Sequence, residues 1–329
     1  MVRFVFTVED LARTRFAISP MWELMTSLMA LRDSSHAALH VPWLRTLSGR
    51  LHGLPLERAV ALLPPEGYVP DFLTPPPAGP MGSIEGELEA LRRTPVAQIR
   101  ADVALFRSQH PRAAATAATW LEHPRREVRA LATVLEDYWS RAVEPVWPRV
   151  RSFLDADIAY RARRLASAGP AALFADLADD VTWRERELEV VVPRHEATIE
   201  LGGRGLVLMP TAFSATRPSV IDRAPWQPTV VYPARGIATL WAEAAPAPDG
   251  LARLLGATRA GILADLAAPR STTELAQRLS LSPAGASHHL AVLRDAGLVT
   301  SRREGRAVLY VRSALGDALA DGEPAASSG

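Results

Sequence analysis

Ser282-Pro-Ala-Gly-Ala-Ser-His-His-Leu-Ala-Val-Leu-Arg-Asp-Ala-Gly-Leu-Val299 carries its own start and stop signals. Ser282 suits a helix N-cap, Pro283 the first helical position, and Gly297 the point where the helix closes. A 3.6-residue period places Ala286, Leu290, Leu293 and Gly297 on one stripe and Ala284, Ser287, His288 and Ala291 on the opposite one. The first stripe is built to face a core. The second is small and polar, with no long hydrophobe. It fits a helix laid on the floor of a DNA major groove, where Ser and His reach base edges; a plain solvated face is the alternative.

Working outward, Leu251, Leu254, Leu255, Ile262, Leu263 and Leu266 predict a helix ending at Pro269. Ser271 with Glu274 three residues on is a capping box for the next helix, and Ser280-Leu281-Ser282 is the turn after it. Downstream, Leu298–Arg302 alternates as a strand, Arg303-Glu-Gly-Arg306 is a turn, and Ala307–Val311 returns. Helix, helix, tight turn, helix, two-stranded hairpin is the order of a winged helix-turn-helix. Arg302, Arg303 and Arg306 on the hairpin are placed for phosphates or the minor groove, positioning rather than reading. Thr272 and Thr273 open a helix whose free N–H groups suit a phosphate. The candidate DNA contacts are Thr272, Thr273, Ser282, Ala284, Gly285, Ser287, His288, Arg302, Arg303 and Arg306.

The run from Ser282 to Val299, followed by Arg302-Arg-Glu-Gly-Arg306 and Leu309-Tyr310, resembles the ArsR-type winged-helix repressors over about 60 residues. The resemblance implies that Ser287 and His288 lie where family members contact DNA, and that the protein is a homodimer. Ala284 stands where others often carry a longer polar side chain. Metal sensors of that family use cysteines on a helix or a carboxylate–histidine set on the last helix. Here Thr273–Arg278 lacks cysteine and Ser313–Asp321 lacks histidine, so no metal site of that type is expected. A second resemblance is carried by Val8-Glu-Asp-Leu-Ala-Arg-Thr-Arg15, Met209-Pro-Thr-Ala-Phe213 and Tyr232-Pro-Ala-Arg-Gly-Ile-Ala-Thr-Leu-Trp241. These are similar to an uncharacterised domain fused ahead of ArsR-type winged helices in high-GC bacteria, and no biochemical role comes with it.

The Pro- and Ala-rich stretch Glu243–Gly250 reads as a linker. It divides the chain into an α+β regulatory or dimerisation domain (1–242), a linker (243–250), a winged helix-turn-helix (251–315) and an acidic tail (316–329). In the first part Val2–Phe6 alternates as a strand and Thr7 caps a helix, while Pro20 starts another helix. Amphipathic helices fill Ser83 to about Ala178. Leu188–Val192, Ala197–Leu201, Leu206–Met209 and Thr229–Tyr232 then read as strands of a small antiparallel sheet. Gly202-Gly-Arg-Gly205 is read as a hairpin turn between two of them rather than a phosphate loop, since no helix follows.

Composition bounds the chemistry. Of 329 residues, 48% are hydrophobic and none is cysteine, which excludes disulfides, thiol nucleophiles and thiolate metal sites. There is no lysine, so all 37 basic residues are arginine, the better gripper of phosphate. Net charge is only +1, yet residues 249–315 hold nine arginines against five acids, and Asp317, Asp321 and Glu323 follow in the tail. That basic module suits an anionic partner. No long apolar run or secretory leader is read, so a cytoplasmic protein with no membrane contact is expected. Asp33, His36 and His40 share a helical face without a fourth ligand, and surface or core histidines are the simpler reading. No nucleophile motif stands out, so no catalytic residue and no cofactor are assigned. The eight tryptophans all precede the linker and would pack a core or line an effector pocket.

The expectation is a sequence-specific transcriptional regulator, a repressor binding an inverted repeat of double-stranded DNA as a homodimer. Its N-terminal domain would sense a non-metal small molecule. A constitutive regulator and an enzyme fused to a DNA module are the alternatives.

Overall fold

A computed structural model describes residues 1–32, 37–65, 67–214, 217–241, 249–267, 269–279, 281–304 and 307–321. Its contacts form two compact units, Met1–Trp147 with Asp157–Ile237, and Pro148–Ala156 with Ala238–Gly329. Most of the 243–250 linker, Asp33, His36, Ser280, Arg306 and residues 322–329 of the acidic tail lie outside the described residues.

The first unit opens with β1 (Val2–Val5), α1 (Val8–Arg13), β2 (Arg15–Phe16) and α2 (Pro20–Ala30). Short helices α3 (Val41–Thr46) and α4 (Leu56–Ala59) follow. Then come α5 (Ile84–Arg93), α6 (Val96–Gln109), α7 (Ala114–Glu122), α8 (Pro124–Tyr138) and α9 (Trp147–Phe174). Thr7 caps α1 as its sequence position suggests, Ser19 caps α2, and Pro20 sits in the first turn of α2. Val128, Leu131, Leu135, Trp139 and Val143, three or four residues apart, form a buried stripe. Strands β3 (Val181–Arg184), β4 (Glu187–Val190), β5 (Ala197–Glu200), β6 (Val207–Thr211), β7 (Ser219–Ile221) and β8 (Thr229–Pro233) complete the unit.

The α+β class stands, but the sheet differs in kind from the expected small antiparallel one. Two mixed four-stranded sheets form, ordered β3-β4-β1-β5 and β2-β6-β8-β7. In the first, β1 pairs antiparallel with β4 and parallel with β5. In the second, β2, β6 and β8 run parallel, and β7 closes the edge antiparallel. Every residue of β6 is buried because both faces are covered, which is why its sequence is a continuous apolar run. Leu208, Val230 and Tyr232 join the core of Val2, Phe4, Leu173 and Phe174, while Val207, Met209 and Val231 pack on Ala17 and Trp22.

The turn at Gly202–Gly205 is therefore not a hairpin. β5 and β6 belong to different sheets, and the loop carries the chain between them. Gly205 has φ +68°, and its N–H donates to Asp10 Oδ1 at 3.0 Å. A Cβ there would lie 2.6 Å from the backbone carbon and oxygen of Arg13, so close approach demands glycine.

Two motifs behind the second resemblance are explained by buried polar bonding. Tyr232 Oη donates to Asp157 Oδ2 at 3.0 Å, and the Arg235 N–H donates to Asp157 Oδ1 at 3.0 Å. Asp157 also accepts from Arg161, which is fully buried. At the other motif, Glu23 accepts the N–H groups of Ala212 and Phe213 through Oε2, at 3.0 and 3.2 Å. The Thr211 hydroxyl lies beside this carboxyl, and the Trp22 indole N–H is buried without a hydrogen-bond partner. His40 is buried with its ring 4.9 Å from Phe213. Among the described residues no group of three or more His, Asp or Glu is set to hold a metal, and no helix is long and apolar enough to cross a membrane.

The second unit contains α10 (Asp249–Leu255), α11 (Ala257–Asp265), β9 (Arg270–Ser271), α12 (Thr272–Arg278) and α13 (Pro283–Asp295). β10 (Val299–Glu304), β11 (Ala307–Arg312) and α14 (Ala314–Asp321) follow, and the sheet order is β10-β11-β9. The single helix expected over 251–266 is broken at Gly256, whose φ is +83°, and Leu254 is exposed. Leu251, Ile262, Leu263, Leu266, Leu275, Leu290, Leu293, Leu298 and Val299 form the core.

Candidate nucleic-acid interface

Local capping sets the two helices of the motif. Ser271 Oγ accepts the Glu274 N–H at 3.3 Å and Glu274 Oε2 accepts the Ser271 N–H at 2.7 Å, closing the capping box ahead of α12. Ser282 Oγ accepts the Gly285 N–H at 3.0 Å and starts α13. These bonds use the Gly285 donor, while the hydroxyl proton of Ser282 is left for another acceptor. Thr272 and Thr273 occupy the first turn of α12, Thr272 half-buried and Thr273 exposed.

The faces of α13 divide as its periodicity predicts. Ala286, Leu290 and Leu293 are buried, whereas Ala284, Ser287 and His288 are exposed and Ala291 is half-buried. Gly297, expected on the core stripe, is exposed instead; its φ of +73° closes the helix. The His288 and His289 rings meet edge to face at 5.6 Å.

On the wing, β10 pairs antiparallel with β11, so that Arg302 faces Leu309 and Arg303 faces Val308. Successive side chains leave a strand on opposite faces, so the two exposed guanidinium groups point away from each other. The arginines that looked like one cluster in the sequence are split by register. Arg306 falls outside the described residues.

Charge is also distributed less freely than the sequence suggests. Arg278 grips both oxygens of Asp265, at 2.7 and 2.8 Å, and Arg270 Nε reaches Asp265 Oδ2 at 2.9 Å. Arg312 donates to the carbonyls of Leu263 and Ala264, at 2.6 and 2.5 Å. Three of the arginines in this unit thus hold its own frame together. Asp265 has no local sequence signature, since its partners lie 5 and 13 residues away on other elements.

Comparison with known proteins agrees with this geometry. Residues 254–302 match a family described as a helix-turn-helix domain. Residues 94–238 match a family of unknown function, DUF5937, a span that leaves out the Val8–Arg15 motif. No curated protein matches the chain, and no solved structure does. Residues 254–302 are thus a helix-turn-helix domain of the ArsR type, the fold of DNA-binding transcriptional regulators, joined to a domain of the DUF5937 family.

Proposed function

We propose that this chain is a sequence-specific transcriptional repressor that binds an inverted repeat as a homodimer. The observation that carries the reading is the two-sided α13: an aliphatic face buried in the core and an exposed Ser287–His288 face free of long hydrophobes. Ser287 and His288 read base edges, with Ala284 allowing close approach. Arg302, Arg303 and Arg306, with Thr272, Thr273 and Ser282, hold phosphates and fix the register, and Gly285 lets the start of the helix come close to the duplex. Residues 251–315 do the reading, 243–250 tether them and 316–329 form an acidic tail; repression in the cytoplasm follows from the resemblance to ArsR-type repressors.

Residues 1–242 serve dimerisation and sensing of a non-metal small molecule. Support for sensing comes from the buried Trp22 indole N–H, a donor without an acceptor in the interior, which a ligand satisfies. Such a ligand regulates by binding two dimer geometries with unequal affinity.

Selection of bound duplexes from a random pool tests the reading. The expected result is a two-fold repeat with half-sites about one helical turn apart. Recovery of sequence-random DNA, or of a lone half-site, refutes it.

A further inference from the structure

Pro269-Arg270-Ser271 is a joint of the second unit. α11 ends just before it, and β9 joins the wing through Arg270 opposite Tyr310 and Ser271 opposite Leu309. Ser271 also caps α12. Whatever grips this joint sets the helix-turn-helix and the wing in register with each other. Asp265 supplies one grip through Arg270 and Arg278.

Another grip arrives from 117 residues upstream. The buried Ser152 donates its hydroxyl to the carbonyl of Pro269. Arg149, one helical turn earlier in α9, donates Nε–H to the carbonyl of Leu240 at 2.5 Å and lies over the Trp241 ring at 5.7 Å. Pro148–Ala156 belongs to the same compact unit as the helix-turn-helix.

Arg149 feels the attraction of the Asp265 carboxylate, both of whose oxygens Arg278 holds. Burial first, then the nearby charges of Arg278 and Arg270, bring Arg149 down to about 10 against the opposing pull of Asp265. A guanidinium held among like charges needs other attachments, and the Leu240 carbonyl and the Trp241 ring provide them.

We infer that Arg149 and Ser152 are positioning residues for DNA binding, holding the Pro269–Ser271 joint from the first turns of α9. The DNA-reading unit then takes part of its frame from the segment matched to the family of unknown function. This rests on the DNA-binding reading above.

The test uses the full chain with Arg149→Met, Arg149→Lys and Ser152→Ala. Affinity for a selected duplex is measured across salt concentrations, and amide exchange at 269–279 is measured without DNA. Arg149→Met and Ser152→Ala should each weaken binding by about three- to tenfold, the scale of one hydrogen bond. Exchange at 269–279 should quicken, the salt slope should stay at the parent's value, and Arg149→Lys should retain most of the affinity. Parental affinity and exchange in both Arg149→Met and Ser152→Ala overturn the inference. So does a salt slope shallower by about one in Arg149→Met, which marks a phosphate contact. If the parent itself binds no DNA, the functional reading fails, and the exchange comparison still decides whether α9 grips the joint.

Discussion

Single residues show where short-range pattern suffices and where it does not. Ser271, Glu274 and Ser282 were legible because a cap and its target lie three residues apart. Ser287 and His288 were legible because helical period alone separates faces. Their role and that of Arg303 are separable by experiment. His288→Ala should narrow the affinity gap between operator and random duplex, whereas Arg303→Ala should weaken both alike and make the salt slope shallower by about 0.9. Titration of both variants on both duplexes checks this, and equal losses in the two variants contradict it.

Glu23 was not legible: nothing around it in the sequence announces a carboxyl that is sealed from water. Burial pushes it up to about 7, against the lowering effect of Thr211 and the Ala212 and Phe213 amides. Unfolded glutamate titrates near about 4.3. Between those values the native chain binds a proton that the unfolded chain has lost. Its contribution is therefore full at low pH and fades as pH rises toward 7, by at most about 1.4 kcal/mol per pH unit. Glu87 and Asp71, also raised to about 7 by burial, act in the same sense. Glu23→Gln should lose less melting temperature than the parent between pH 5 and pH 8; identical losses refute the assignment.

At the scale of elements, the helices and most strands were readable, and their partners were not. Apolar runs announce that β5 and β6 are strands, but adjacency in sequence suggested a hairpin where the fold places them in separate sheets. The glycines between them also fit a hairpin, and only the approach to Arg13 tells the two cases apart. Gly205→Ala should cost about 2 kcal/mol or more, from the positive φ and the backbone clash together. Gly202→Ala, whose Cβ meets nothing within 4 Å, bears only the φ penalty and should cost less. Chemical denaturation of both variants checks the order. The break at Gly256 is masked in the sequence by leucines that keep a helical rhythm across it.

For the whole molecule, composition pointed to a basic C-terminal module, and the structure shows why its surplus overstates the charge left for DNA. Arg270, Arg278 and Arg312 are committed to internal bonds. A cut at the Pro-rich stretch followed local composition, whereas contacts add Pro148–Ala156 to the C-terminal unit, a grouping that no local pattern reveals.

The placing of β1 has a consequence for biosynthesis. Its two neighbours, β4 and β5, are nearly 200 residues further along the chain. During translation β1 leaves the ribosome with no partner on either side, and all the intervening helices are made before one arrives. Closing so distant a pairing is slow, and until then two open strand edges invite other nascent chains. The helices thus have time to fold first, and the sheet is completed only when Glu187–Glu200 has emerged.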